Sequence, residues 1–220
     1  MTDVNLANAR DNMIEQQLRT WEVLNERVLG ALEALPREQF VPSAYRNLAY
    51  ADMQIPLGQG QVMLEPKVEG RLIQAVDPQP QDHVLEIGTG SGFLTACLAS
   101  LAHHITSVEI HTAWSEQARS TLDELTITNT DLHIGDAASG WDDGRYYDVI
   151  AVTGSLPELH QGFHHRLSQG GRLFVIVGQS PIMEAMLITR VGEDQWASES
   201  LFDTSTPALI GAPMTRSFSL

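Results

Sequence analysis

Val84-Leu85-Glu86-Ile87-Gly88-Thr89-Gly90-Ser91-Gly92 is the stretch that decides the fold. It opens as a short, mostly apolar strand, HVLEI over 83–87, and runs into a turn with glycine at alternate positions. Such spacing removes Cβ atoms where a ligand must approach the backbone closely. A helix over 92–102 follows. Strand, glycine turn and helix in that order put the turn at the carboxyl end of a first strand, where open α/β sheets bind ligands. Three cofactor classes use a turn of this kind. The nicotinamide version asks for G-x-G-x-x-G/A, but the sixth position from Gly88 is Phe93. The phosphate-binding loop ends in G-K-[ST], which is absent from the chain. What remains is an acid, one apolar residue and G-x-G-x-G.

Outward from this turn, strands and helices alternate. HITSVEI (104–110) reads as a second strand, 112–125 as a helix, DLHIGD (131–136) as a third strand and YDVIAVTG (147–154) as a fourth. A helix near 157–167 and a fifth strand, GGRLFVIVG (170–178), come next. EAMLITRVG (184–192) and ASESLFD (197–203) read as a closing antiparallel pair. The pattern predicts a mostly parallel seven-stranded sheet with helices on both faces. Upstream, residues 5–35 read as two helices, the second carrying Val28, Leu29, Leu32 and Leu35 at helical spacing and stopped by Pro36. Residues 36–66 read as irregular, and a helix resumes from about Lys67 to Val76. We expect one α/β domain over 1–220. Residues 1–80 form its helical lead and active-site loop, and 81–220 its cofactor-binding sheet.

Two further acids fall at strand ends. Glu109 closes the second strand, 23 residues after Glu86. That is close to the spacing at which a strand-end acid meets ribose hydroxyls, and its two oxygens can accept both protons. Ile110 would cover one face of an adenine. Asp136 ends the third strand, where it would accept from the adenine amino group while the Ala137 N–H donates to a ring nitrogen. Glu86 near the pocket would add negative charge, which favours a cationic ligand. A lone strand-end acid is often only a turn residue or cap. Three acids in series with the glycine turn favour a cofactor.

Composition narrows the partners. The 220 residues carry a formal net charge of −15, whose field repels polyphosphate and anionic lipid. Neither a nucleic-acid nor a membrane partner is expected. The single cysteine, Cys97, sits in an apolar run and reads as a packing residue in a reducing, cytoplasmic setting. His160 and His164 are four apart, but H-e-x-x-H would need Glu at 161, where Gln161 stands. No metal ligands are expected, and these histidines read as surface residues. The tryptophans read as packing residues, and Asp52 as a turn cap.

VLEIGTGSG, SVE, the GD of strand three, DVIAVTG and GGRLFVIVG resemble the protein-L-isoaspartate O-methyltransferases, a family of class I S-adenosylmethionine methyltransferases. The lead MIEQQLRTWEVLNERVLGALEALPREQFVP and the stretch AYADMQIPLGQGQ carry the more specific resemblance. It implies a Rossmann-like methyltransferase fold with an N-terminal helical extension. S-adenosylmethionine would be cofactor and S-adenosylhomocysteine product, held by Glu86, Gly88, Thr89, Gly90, Ser91, Gly92, Glu109, Ile110, Asp136 and Ala137. The substrate would be a protein or peptide bearing isoaspartate, methylated for repair at its free carboxylate. Pro56, Leu57, Gly58, Gln61, Val62, Met63 and Leu64 would form the substrate loop.

That chemistry needs no general base, since a carboxylate with a pKa near ~4 is already ionised at neutral pH. Positioning and exclusion of water supply most of the rate. The resemblance departs where the family has Thr-Ile-Ser-Gln-Pro, whose serine is generally assigned a catalytic role. Here the residues are Val62-Met63-Leu64-Glu65-Pro66, so Leu64 occupies the serine position and no catalytic side chain stands out. The apolar loop would also suit a small apolar acceptor. A cofactor-binding module without turnover is the third reading.

Overall fold

The computed structural model of the protein describes residues 3–214. Residues 1, 2 and 215–220, which the single-domain reading includes, lie outside the described residues. The lead opens with helix α1 (Asp3–Met13), which continues as π and 3-10 turns to Trp21. Glu22, in the left-handed region, ends it. Helix α2 (Glu26–Ala34) starts at Asn25, whose side chain accepts from the Arg27 N–H. Residues 36–66 hold more structure than the sequence suggests. They contain a short helix α3 (Arg37–Phe40), a 3-10 turn (Ser43–Leu48) and a hairpin of strands β1 (Ile55–Gly58) and β2 (Gln61–Met63). The three-residue β2 is too short to leave a periodic signal. Helix α4 (Pro66–Val76) buries Val68, Leu72, Ile73 and Val76 along one stripe, with Pro66 in its first turn.

The sheet follows. Strand β3 is His83–Ile87, helix α5 Phe93–Ala99, β4 His104–Glu109, α6 Thr112–Glu124, β5 Thr130–Ile134 and β6 Tyr147–Leu156. Then come β7 (Leu167–Gln179), β8 (Ile182–Gly192) and β9 (Gln195–Thr204). The order across the seven strands is β5-β4-β3-β6-β7-β8-β9. Strands β3 to β7 are parallel, and β8 and β9 add antiparallel to the edge. The sheet is mostly parallel, as the alternating pattern predicts. The chain winds outward one way through β4 and β5 and the other way through β6, so the switch point lies between β3 and β6.

Alternation along the strands sorts the core into two clusters. Val84, Val149, Ala151, Phe174 and Ile176 point to one face, where they pack with Leu32, Leu72, Phe93 and Leu122 of the helices. Leu85, Ile87, Ile150, Val152, Leu173 and Val175 point to the other. This second face departs from expectation, because no α-helix contributes to its buried cluster. Phe163, Trp141 and Leu209 cover it from loops instead. The helix expected near 157–167 is absent, and only a 3-10 turn (His164–Arg166) forms. Close backbone packing explains this. A Cβ at Gly162 would lie 1.9 Å from the Ser139 carbonyl oxygen, so the two loops meet where only glycine fits.

One histidine expectation falls with that helix. His164 is buried, not on the surface, and burial pushes its imidazole pKa down, with His165 adding to the effect. The His160 ring meets the Ala138 carbonyl at 2.9 Å. Cys97 is buried in the core, and burial pushes its thiol well up. No described helix is long and apolar enough to cross a membrane. No described group of acids, histidines and cysteine could hold a metal ion.

Candidate functional site

A cavity of about 810 Å3, counted to its open mouth, sits at the carboxyl ends of β3, β4 and β5 beside β6. Three loops form its floor: Gly88–Ser91 after β3, Glu109–His111 at the end of β4, and Gly135–Ala138 after β5. Thr153 and Gly154 of β6 complete it. One wall is the β1–β2 hairpin, through Leu57 and Gln61–Leu64. A second wall, beside the hairpin, is a strap after β9, through Thr206, Leu209 and Ile210.

Hydrogen bonds fix the floor. The Gly88 N–H donates to the Val108 carbonyl at 2.8 Å, and Thr153 Oγ1 donates to the carbonyls of Ile87 and Gly88 at 2.9 and 2.8 Å. Glu109 is buried to 4 % exposure at the cavity edge. Its Oε2 accepts from the Gly90 N–H at 2.8 Å and its Oε1 from the His111 N–H at 2.9 Å. Both oxygens keep a lone pair for a ligand. Asp136 Oδ1 accepts from the Ala138 N–H at 3.0 Å. The His111 ring lies 4.2 Å from the Trp114 ring, and His111 Nε2 is buried with no partner. That leaves a hydrogen-bonding position for a ligand.

Glu86 is placed differently from the expectation. It does not line the cavity but lies beneath it, with 0 % exposure. Its Oε2 accepts from Thr95 Oγ1 at 2.5 Å and from Ser107 Oγ at 2.6 Å, and Thr89 Oγ1 lies 2.6 Å from Ser107 Oγ. Its Oε1 has no partner. Burial pushes the Glu86 carboxyl up to about 8, the charges of Glu109 and Glu69 push the same way, and the two hydroxyls oppose them. Glu86 is therefore mostly protonated at neutral pH and adds little charge. The acids on the cavity wall are Glu69, Glu109 and Asp136. Gly92 also stays outside the lining. A Cβ there would press on the Ala118 Cβ at 2.9 Å, so this glycine serves the packing of α5 on α6. Pro56 and Gly58 flank the lining without joining it. Gly88, Thr89, Gly90, Ser91, Ile110, Ala137, Leu57, Gln61, Val62, Met63 and Leu64 all line it.

The hairpin wall hangs on a buried arginine that the sequence reading passed over. Arg37, in the PREQF segment, has 0 % exposure. Its Nη2 donates to the Leu64 carbonyl at 2.7 Å, its Nε donates to the Ala49 carbonyl at 2.8 Å, and its Nη1 pairs with Glu69. The guanidinium also stacks over Phe93 at 4.6 Å. Burial raises the Glu69 carboxyl and Arg37 pulls it back. Glu65 accepts from Gln54 Nε2 at 3.4 Å. Asp52 pairs with Lys67 at 2.9 Å rather than capping a turn.

The strap is tied to both neighbours. The Ser155 N–H donates to the Pro207 carbonyl at 3.0 Å, and the Leu209 N–H donates to the Ser155 carbonyl at 2.9 Å. Gln54 Nε2 donates to the Ser205 carbonyl at 2.6 Å, and Gln61 Nε2 donates to the Ala208 carbonyl at 3.0 Å. The sequence reading missed His111, Trp114, Thr153, Thr206, Leu209 and Ile210. A signal existed for His111 and Trp114, which lie two and five residues after Glu109. None existed for the strap, which reaches the site only through tertiary bonds.

The lining fits S-adenosylmethionine. An acid with two open lone pairs suits a ribose diol, and an acid-lined cavity suits a cation. Comparison with known proteins gives the same reading. The family model for protein-L-isoaspartate(D-aspartate) O-methyltransferase matches residues 8–205. A protein-L-isoaspartate O-methyltransferase of Koribacter versatilis is 36% identical over 202 residues, 92% of this chain and 90% of that one. Another, from Rhodopseudomonas palustris, is 36% identical over 201 residues, 91% of this chain and 92% of that one. Among solved structures, a Plasmodium falciparum β-aspartate methyltransferase in complex with S-adenosyl-L-homocysteine superposes with TM-score 0.76 at 18% identity, over 91% of this chain and 97% of that one. The chain belongs to the protein-L-isoaspartate O-methyltransferase family.

Proposed function

We propose that this protein is an S-adenosylmethionine-dependent O-methyltransferase that esterifies the free carboxylate of L-isoaspartyl residues in damaged proteins, a repair reaction. The observation that carries this reading is the acid-lined cavity at the switch point, in a chain that matches one family over residues 8–205. In this reading Glu109 holds the ribose hydroxyls and Ile110 covers the adenine. Asp136 and Ala137 meet the adenine edge, and Gly88–Ser91 receive the methionine end. When bound, S-adenosylmethionine supplies an electrophilic methyl group. The chain's own work is placement and exclusion of water. Residues 57–64 and 206–210 close over the floor, and no group needs to remove a proton from an acceptor that is already a carboxylate. We read the whole chain as one domain working in the cytoplasm, supported by a core cluster that joins lead and sheet and by a buried lone thiol. The apolar wall of Leu57, Val62, Met63 and Leu64 favours a second reading, an apolar small-molecule acceptor.

The test is methyl transfer from labelled S-adenosylmethionine to an isoaspartyl peptide, with the matching aspartyl peptide as control and calorimetry of cofactor binding alongside. Selective labelling of the isoaspartyl peptide is the expected result. Tight cofactor binding without transfer would move the assignment to another acceptor.

A further inference from the structure

A carboxylate that enters this cavity faces a problem of charge. The wall carries Glu69, Glu109 and Asp136, and among the described residues no Lys or Arg lines it. A desolvated carboxylate without a donor is costly, so the acceptor must meet an N–H or O–H. The resemblance places a serine at position 64, but Leu64 is there, 4 % exposed and with no side-chain donor. The donor must come from elsewhere.

The unpartnered His111 Nε2 stands beside Glu109, on the floor, and four hydroxyls line the cavity among the described residues: Thr89, Ser91, Thr153 and Thr206. Ser107 gives its proton to Glu86, so the Thr89 proton goes to Ser107. Thr153 donates to the carbonyls of Ile87 and Gly88. Ser91 accepts from the Phe93 N–H at 3.3 Å and stands in the glycine turn, at the cofactor end. Thr206 differs from all three. It is 4 % exposed, and its backbone is held on both sides. The Thr206 N–H meets Met183 Sδ at 3.4 Å, and the Thr206 carbonyl accepts from Ser155 Oγ at 2.9 Å. Its hydroxyl makes no hydrogen bond to any described residue. A hydroxyl that lines the cavity on a pinned backbone, with its proton given to no described residue, is placed to meet a ligand.

Its neighbours set which ligand. Gln54 Nε2 reaches Glu65 at 3.4 Å and the Ser205 carbonyl at 2.6 Å. One side chain thus bridges the residue after Leu64 to the residue before Thr206. The free hydroxyl stands on the strap where the strap meets the substrate loop. We propose that the Thr206 hydroxyl binds the acceptor carboxylate, supplying from the strap the hydrogen bond that Leu64 cannot give from the loop. This assignment rests on the isoaspartyl reading above.

The test compares wild type with Thr206→Val and Thr206→Ser. Valine keeps the shape and removes only the hydroxyl, and serine keeps the hydroxyl. Two quantities are read: kcat/KM for an isoaspartyl peptide, and peptide affinity for enzyme loaded with S-adenosylhomocysteine. Cofactor affinity and thermal midpoint are measured in parallel. Thr206→Val should lower kcat/KM by about 10- to 100-fold, the size expected for a hydrogen bond to a charged group. It should weaken peptide binding and leave cofactor affinity unchanged. Thr206→Ser should stay within about threefold of wild type in kcat/KM. Wild-type kcat/KM in Thr206→Val would overturn the proposal. Parallel loss of cofactor binding would also overturn it, since the residue would then only support the strap. A wild type that neither methylates nor binds isoaspartyl peptides would sink the acceptor reading itself, and this assignment with it. That failure shows in the wild type rather than in the variant.

Discussion

The two halves of the cavity are built by different means. The cofactor floor is made of strand ends, and each of its loops leaves a parallel strand within a residue or two. Its polar groups are tied to nearby backbone, as Glu109 is to Gly90 and His111. The walls are a hairpin and a strap some 150 residues apart, joined by glutamine-to-carbonyl bonds such as Gln54–Ser205, where the separation is 151. The floor is thus fixed by the sheet, whereas the walls are held by each other, by Arg37 and by the strap's backbone bonds to Ser155. Function can diverge on such walls while the floor keeps its ligand.

Arg37 is the sharpest place to break this division. Removing one partner of a buried ion pair costs about 3–5 kcal/mol, because the other charge is left unpaired. Arg37→Met should destabilise the protein by that amount in urea unfolding, because Glu69 and two carbonyls lose their donor. Arg37→Met combined with Glu69→Leu should recover much of the loss, since apolar replacement of a buried pair is often neutral or better. No recovery in the double variant would show that the carbonyls of Ala49 and Leu64, rather than Glu69, need Arg37.

Glu109 is the matching test on the floor. Glu109→Ala removes both lone pairs that face the cavity, and should weaken S-adenosylmethionine binding by about 100-fold, two hydrogen bonds to a charged group. Leu64→Ser, on the wall, should leave that affinity unchanged. Calorimetry on both variants decides whether floor and wall are energetically separate.

The sequence carried the floor and blurred the walls for the same physical reason. Glu109, Ile110, Asp136 and Ala137 are marked by their place at the ends of apolar runs, and a parallel sheet forces those ends together. Thr206 and Leu209 have no such mark. Their place depends on one parallel bridge between Ser155 and Ala208, which leaves no local pattern. The position of Glu86 is legible in the sequence, but its charge is not. Its spacing says where it stands, whereas its protonation depends on burial. The second face of the sheet was misread because strand–helix alternation is an average. Two loops that meet at Gly162 can cover a core as a helix would.

Glu86 yields a prediction in pH. Its carboxyl titrates at about 8 in the folded protein, against roughly 4.3 for a free glutamate. The folded state therefore binds the extra proton between those values, and stability falls as pH rises through that window. The contribution is complete below the unfolded value and is lost above the folded one. Glu86→Gln cannot titrate. Relative to wild type, the variant should gain about 4 kcal/mol from about pH 5 to about pH 9. Unfolding midpoints at both ends of the range test this. A constant difference between the two proteins would show that Glu86 keeps its charge when buried.

The smallest expected effect lies at the mouth. Gln61 Nε2 spans to the Ala208 carbonyl at 3.0 Å, in an exposed setting. A hydrogen bond of this kind contributes about 0.5–1.5 kcal/mol, so Gln61→Ala should speed release of S-adenosylhomocysteine by about two- to tenfold. The thermal midpoint should barely move, because the strap keeps its two backbone bonds to Ser155. Stopped-flow release rates make the comparison, with Gln54→Ala as the second arm. If the walls hold each other, the two variants together should release product faster than either alone. If release is unchanged in both, the bonds to Ser155 alone set the strap, and the walls are as firmly tied to the sheet as the floor.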